Sequence, residues 1–113
     1  MRSPYHSSTR KLVEALPTSA KTDADTLYRY SFDGLKISFL PEAVVIPDEV
    51  ASIGTLLELA NSGAVPVTCR GAGSTLTGSA TPLTGGWVLD LSRLNRIQID
   101  QRLRTARVEA GAV

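Results

Sequence analysis

Residues 69–82 read CRGAGSTLTGSATP and concentrate the side chains whose types and spacing could serve a ligand. Gly71, Gly73 and Gly78 alternate with the hydroxyls of Ser74, Thr75, Thr77, Ser79 and Thr81, without a lysine, histidine or carboxylate. Glycine reaches positive φ without strain, and its missing Cβ lets a ligand touch the main chain. Successive backbone N–H groups converging on one point form an anion nest suited to phosphate. The segment can therefore hold a ligand but cannot move a proton. Any reaction at this place must use chemistry that the ligand brings.

Two familiar phosphate motifs fail on position. A P-loop needs Lys-Ser/Thr after its last glycine, and no lysine follows Lys36. The dinucleotide fingerprint G-x-G-x-x-G must open a helix. Here Leu76 occupies the third glycine position, and the chain runs on into Pro82 and Gly85-Gly86.

Elsewhere the chemistry-bearing residues are sparse. Cys69 and His6 are the only soft metal ligands and lie far apart, so a zinc site gains no support. Cys69 ends an apolar strand and reads as a packing residue; one cysteine allows no internal disulfide and fits a reducing compartment. Trp87 opens a strand and reads as core, while Asp33 and Asp90 read as turn and hydrogen-bonding carboxylates. No role falls on His6. Twelve basic residues against eleven acidic ones give a net charge of +1, which leaves no electrostatic footprint for nucleic acid or an anionic membrane. Arg93, Arg96, Arg102, Arg104 and Arg107 cluster, but Asp90, Asp100 and Glu109 interleave with them as on a solvated face. The apolar runs are too short for a transmembrane segment.

The elements that must position the loop follow from periodicity. Leu12, Val13 and Leu16 mark an opening helix capped by Ser8 or Thr9 and stopped by Pro17. A polar connector follows, then a helical turn ending at Asp33-Gly34. AVVI (43–46) is a compact strand between prolines. Val50, Ile53, Leu56, Leu57 and Ala60 set a helix over 48–62, with Asp48 at its start and Gly63 as its stop. VPVTC (65–69) is a second strand. This strand–helix–strand unit predicts direct parallel pairing of 43–46 with 66–69. WVLDL (87–91), IQID (97–100) and TARVEA (105–110) are three further strands in a hairpin-like continuation. The chain ends at EAGAV, after a glycine turn and at the apparent start of another strand, which reads as the N-terminal piece of something longer.

The stretch PVTCRGAGSTLTGSATPLTGGWVLDLSRLNRI resembles the first part of the FAD-binding domain of the FAD-linked oxidases, the vanillyl-alcohol oxidase/p-cresol methylhydroxylase (PCMH) superfamily. It is most similar to the branch of D-lactate dehydrogenase and the glycolate oxidase flavoprotein subunit. YRYSFDG resembles that family's Tyr-x-x-Asp entry, and PEAVVIPDEVASIGTLLELANSGAVPV its strand–helix–strand. The likeness runs over residues 23–113, with 1–22 as an N-terminal helix and connector. It implies an α+β fold, a first βαβ-containing subdomain followed by the start of a mixed or antiparallel sheet.

The resemblance also implies FAD, with the backbone of Arg70, Gly71, Ala72, Gly73, Ser74 and Thr75 around the pyrophosphate. Gly78 and Ser79 would lie toward the flavin, and Pro47 beside the adenosine half. Catalytic residues are not implied within this chain. Ser74 stands where threonine is usual, or where some relatives carry a histidine bonded to the flavin, so the FAD is expected to be non-covalent. Ser79 replaces the second glycine of a Gly-Gly step. The implied activity is oxidation of a small-molecule 2-hydroxy acid of the glycolate or D-lactate type by the parent protein, the piece alone being inactive. An electron acceptor or partner subunits would complete it, in the cytoplasm or at the membrane periphery within a complex. UDP-N-acetylenolpyruvoylglucosamine reductase, with its own Gly-x-Gly-Ser loop, and a non-catalytic module of the same fold remain alternatives. Arg70-Gly71 before the loop and DLSRLNRI after it favour the oxidase branch.

Overall fold

The computed structural model describes residues 3–113. Its elements are α1 (His6–Ala15), β1 (Ala20–Lys21), α2 (Ala24–Arg29), β2 (Ala43–Val45), α3 (Val50–Gly63), β3 (Val67–Arg70), β4 (Trp87–Asp90), β5 (Ile97–Asp100) and β6 (Thr105–Val108). The first four strands form one sheet in the order β1-β2-β4-β3, and β5 and β6 form a separate antiparallel hairpin.

Strand order departs from the sequence expectation. β2 and β3 do not pair with each other; β4 lies between them, parallel to both, with Val44 and Thr68 opposite Val88. Burial accounts for this. All residues of β2 and β4 are buried, as inner parallel strands covered on both faces require. β3 carries Thr68, Cys69 and Arg70 and is only partly covered, so it suits an edge. The same placement corrects the reading of Cys69, which is exposed rather than packed.

Alternation along the strands turns Ala43, Val45, Trp87 and Leu89 toward one face, where they cluster with Leu12 of α1 and Leu56 and Ala60 of α3. Val44 and Val88, pointing to the opposite face, are fully buried as well. On α3, Ile53, Leu56 and Ala60 face the core, but Val50 and Leu57, seven residues apart, lie on the flank and are exposed. Glu49, not Asp48, is the N-cap, and Ala64 rather than Gly63 takes the left-handed conformation that ends the helix. Asp48 pairs instead with Arg93 at 3.1 Å. Tyr5 precedes α1, which leaves Ser8 and Thr9 inside the helix. Thr9 is buried there and accepts a hydrogen bond from the Trp87 indole at 2.9 Å.

β5 and β6 place Ile97 opposite Val108 and Ile99 opposite Ala106, all exposed. Arg96 and Glu109 form an ion pair at 3.3 Å beside the hairpin. No helix among the described residues is long and apolar enough to cross a membrane.

Candidate functional site

Three parallel strands end at one edge of the sheet, β2 at Ile46-Pro47, β3 at Arg70-Gly71 and β4 at Asp90-Leu91. Open parallel sheets bind ligands outside the carboxyl ends of their strands, where the order of connection reverses. Here the chain skips from β2 to the outer β3 and returns to β4 between them, so residues 71–86 start at that edge. They cross without regular structure.

Within the loop, Gly71, Ala72, Ser74, Thr77 and Ser79 are exposed, Gly73 and Thr75 half-buried, and Gly78 buried. A Cβ placed on Gly71 would meet nothing within 4 Å, so this stretch of backbone is open to a ligand. Gly73 has φ +70° and Gly78 φ +79°, the left-handed region that favours glycine. The hydroxyls link in a row, Thr75 Oγ1 to Thr77 Oγ1 at 3.0 Å and Thr77 Oγ1 to Ser79 Oγ at 3.0 Å. Pro47 stands at the same edge, but its ring is fully buried and only its main chain can face a ligand. The donor set, free of carboxylates, fits a diphosphate.

A second segment supports the loop from below, and sequence reasoning missed it. Asp23 caps α2 by accepting from the Thr26 amide at 3.0 Å, a bond that holds its carboxyl below the usual range. After α2 the chain turns through Tyr30–Gly34. A Cβ on Gly34 would lie 2.7 Å from the Thr75 carbonyl and 2.8 Å from that of Ser74, so this turn packs directly on the loop backbone. Asp33 is buried; its Oδ1 accepts from the Leu35 amide at 2.9 Å, while Oδ2 has no partner among the described residues. The Tyr-Asp spacing in YRYSFDG was the available signal for this segment.

Tyr30 donates its hydroxyl to Asp90 Oδ2, and Asp90 Oδ1 accepts from the Ser92 amide at 2.8 Å. Burial, reinforced by that bond and by the Asp90 charge, pushes the Tyr30 phenol up to about 12. Beside Gly78 lies an apolar groove of about 280 Å³ walled by Leu35, Ile37, Phe39 and Leu83. A concavity of about 400 Å³ alongside α1, lined by His6, Arg10, Glu14 and Glu42, is remote from the loop and holds no group that points to a ligand.

The family described as FAD binding domain matches residues 41–113. This chain belongs to it. The FAD-binding domain is 34% identical over 86 residues to the glycolate oxidase subunit GlcD of Bacillus subtilis, covering 74% of this chain and 18% of that protein. It is 33% identical over 106 residues to the D-lactate dehydrogenase of Archaeoglobus fulgidus, covering 89% of this chain and 22% of the relative. The chain thus spans about a fifth of the length of these relatives. Its fold matches p-cresol methylhydroxylase with a TM-score of 0.83 at 24% identity, over 99% of this chain and 23% of that one. This agrees with a PCMH-type α+β fold. The cofactor of the family is FAD.

Proposed function

We propose that residues 70–79 hold the diphosphate of FAD and that this chain is the cofactor-binding part of an oxidoreductase acting on a 2-hydroxy acid of the glycolate or D-lactate type. The observation that carries the reading is the open Gly71 backbone at the carboxyl edge of β2, β3 and β4, followed by the left-handed Gly73 and Gly78. The names of the relatives, glycolate oxidase and D-lactate dehydrogenase, support the substrate class. When bound, FAD supplies the electron acceptor for substrate oxidation. The chain's own residues bind and orient it: the main chain of Arg70–Thr75 faces the diphosphate, and Gly78 and Ser79 lie toward the flavin ring. Pro47 contributes its main chain on the adenosine side. The unit doing this is residues 23–113.

An exposed thiol at Cys69 fits a reducing compartment, and we place the protein in the cytoplasm. Because the chain spans only a fifth of its relatives, FAD is expected to bind it weakly and turnover to need more of the protein. Diffusing partners must first offset ~4–15 kcal/mol of lost translational and rotational freedom. The test is titration of the chain with FAD followed by fluorescence quenching, with ADP as competitor. Gly71→Val, which fills the open face, is expected to weaken binding at least tenfold. Equal binding by the two proteins removes the loop as the cradle. Dye reduction with glycolate and D-lactate is expected to be absent for the 113-residue chain, and steady turnover by it would overturn that part of the reading.

A further inference from the structure

Arg70 is the one cation in the loop, and the simplest role for it would be a charge contact with phosphate. Its side chain goes elsewhere. Nη1 donates to the Phe32 carbonyl at 2.5 Å, and the guanidinium carbon lies 5.1 Å from the centroid of the Tyr30 ring. The Tyr30 ring is itself tied by its hydroxyl to Asp90 at the end of the central strand β4. Gly73 also sits against the guanidinium, where a Cβ would come within 2.5 Å of the Arg70 Cζ and Nε. The planar group thus touches both the Tyr30 ring and the left-handed turn at Gly73. An arginine plane stacks and forks in a way that a lysine point charge cannot.

We propose that Arg70 is a positioning residue, not a phosphate ligand: stacked on Tyr30 and bonded to Phe32, it sets the Gly73 turn so that the amides of 71–75 converge. The inference rests on the reading of residues 70–79 as the diphosphate cradle. It also explains Gly73 twice over, since the position needs both positive φ and room for the side chain of its own neighbour three residues back.

The test combines two readouts on the full chain, backbone order of residues 71–75 from nitrogen-15 relaxation without ligand and FAD affinity, across Arg70→Lys, Tyr30→Phe and Tyr30→Leu. Arg70→Lys keeps the charge and loses the plane. It is expected to lower the order parameters of 71–75 to those of a flexible loop and weaken FAD at least tenfold, while β2 and β4 stay rigid. Tyr30→Phe keeps the stacking face and is expected to keep wild-type loop order and to stay within threefold of wild-type affinity, whereas Tyr30→Leu behaves like Arg70→Lys. The Tyr30 pair decides the matter if Arg70→Lys unfolds. Arg70→Lys with wild-type loop order and affinity overturns the proposal in favour of a charge role, as does Tyr30→Leu indistinguishable from Tyr30→Phe. FAD binding by wild type that ADP does not compete would sink the cofactor reading instead, and the order of 71–75 would still settle whether the clamp exists.

Discussion

Trp87 Nε1 donates to Thr9 Oγ1 at 2.9 Å, joining two buried residues that stand 78 positions apart. The bond ties α1 to β4, the strand between β2 and β3 on which the cofactor edge is built. Thr9→Val keeps the shape of the side chain and removes the acceptor, leaving a buried indole N–H unsatisfied. That costs about 1–3 kcal/mol. Trp87 is the only tryptophan, so its fluorescence reports urea unfolding directly. Thr9→Ser is expected to recover most of the loss; equal stability of Thr9→Val and wild type would mean that the bond contributes nothing.

Gly34 carries the approach of the Tyr30–Gly34 turn to the loop. In Gly34→Ala the new Cβ would meet two backbone carbonyls, which cannot rotate away as a side chain can. Overpacking of this kind costs roughly 1–3 kcal/mol, and here the displaced part is the loop itself. FAD affinity is expected to fall tenfold or more. Unchanged affinity in a titration would show that residues 74–75 move without consequence for the ligand.

What was legible in the sequence was local. β2 and α3 announced themselves through apolar runs and period, and the ligand loop through its glycines and its lack of titratable groups. Strand order depends on comparing burial across segments. WVL against VTCR carried that signal, since an apolar run takes a central place and a mixed strand an edge. Cys69 follows the same logic, since its apolar neighbours suggest packing and only the edge position of the strand exposes it. The support beneath the loop was signalled only by the Tyr-Asp spacing of YRYSFDG, and its contacts were not legible. Tyr30 meets Asp90 across 60 residues, and the direction of the Arg70 side chain is fixed by groups that only the fold brings together.

Tyr30 makes stability depend on alkaline pH. Its phenol is raised from the ordinary value of 10.0 to about 12 in the folded chain. The proton is therefore held more tightly folded than unfolded, and its contribution is fully present below pH 10 and lost as pH rises toward 12. Near-ultraviolet absorbance of tyrosinate is expected to show a late step near pH 12 that is missing in Tyr30→Phe. Persistence of that step in the variant would assign it to another residue.

Gly54 gives the control for variants at the loop. It lies exposed in α3, and a Cβ there would meet nothing within 4 Å. Glycine inside a helix costs about 0.5–1 kcal/mol relative to alanine. Gly54→Ala is expected to stabilise the chain by that amount in chemical unfolding without changing FAD affinity. A loss of affinity would couple α3 to the loop in a way the packing gives no reason to expect.

The last prediction concerns how the flavin is held. Covalent attachment needs a nucleophilic side chain at the ring, and the loop offers only hydroxyls, the exposed Ser74 among them. The other loop hydroxyls, Thr75, Thr77 and Ser79, bond to one another, and among the described residues none is bonded to a base that would activate it. FAD held by this loop should therefore leave intact when the protein is denatured. Acid precipitation of FAD-loaded protein is expected to leave the yellow colour in the supernatant, and Ser74→Ala to change nothing in that partition. Colour that stays with the pellet in wild type and moves to the supernatant in Ser74→Ala would make Ser74 an attachment point, and the view of this loop as a purely non-covalent cradle would fall.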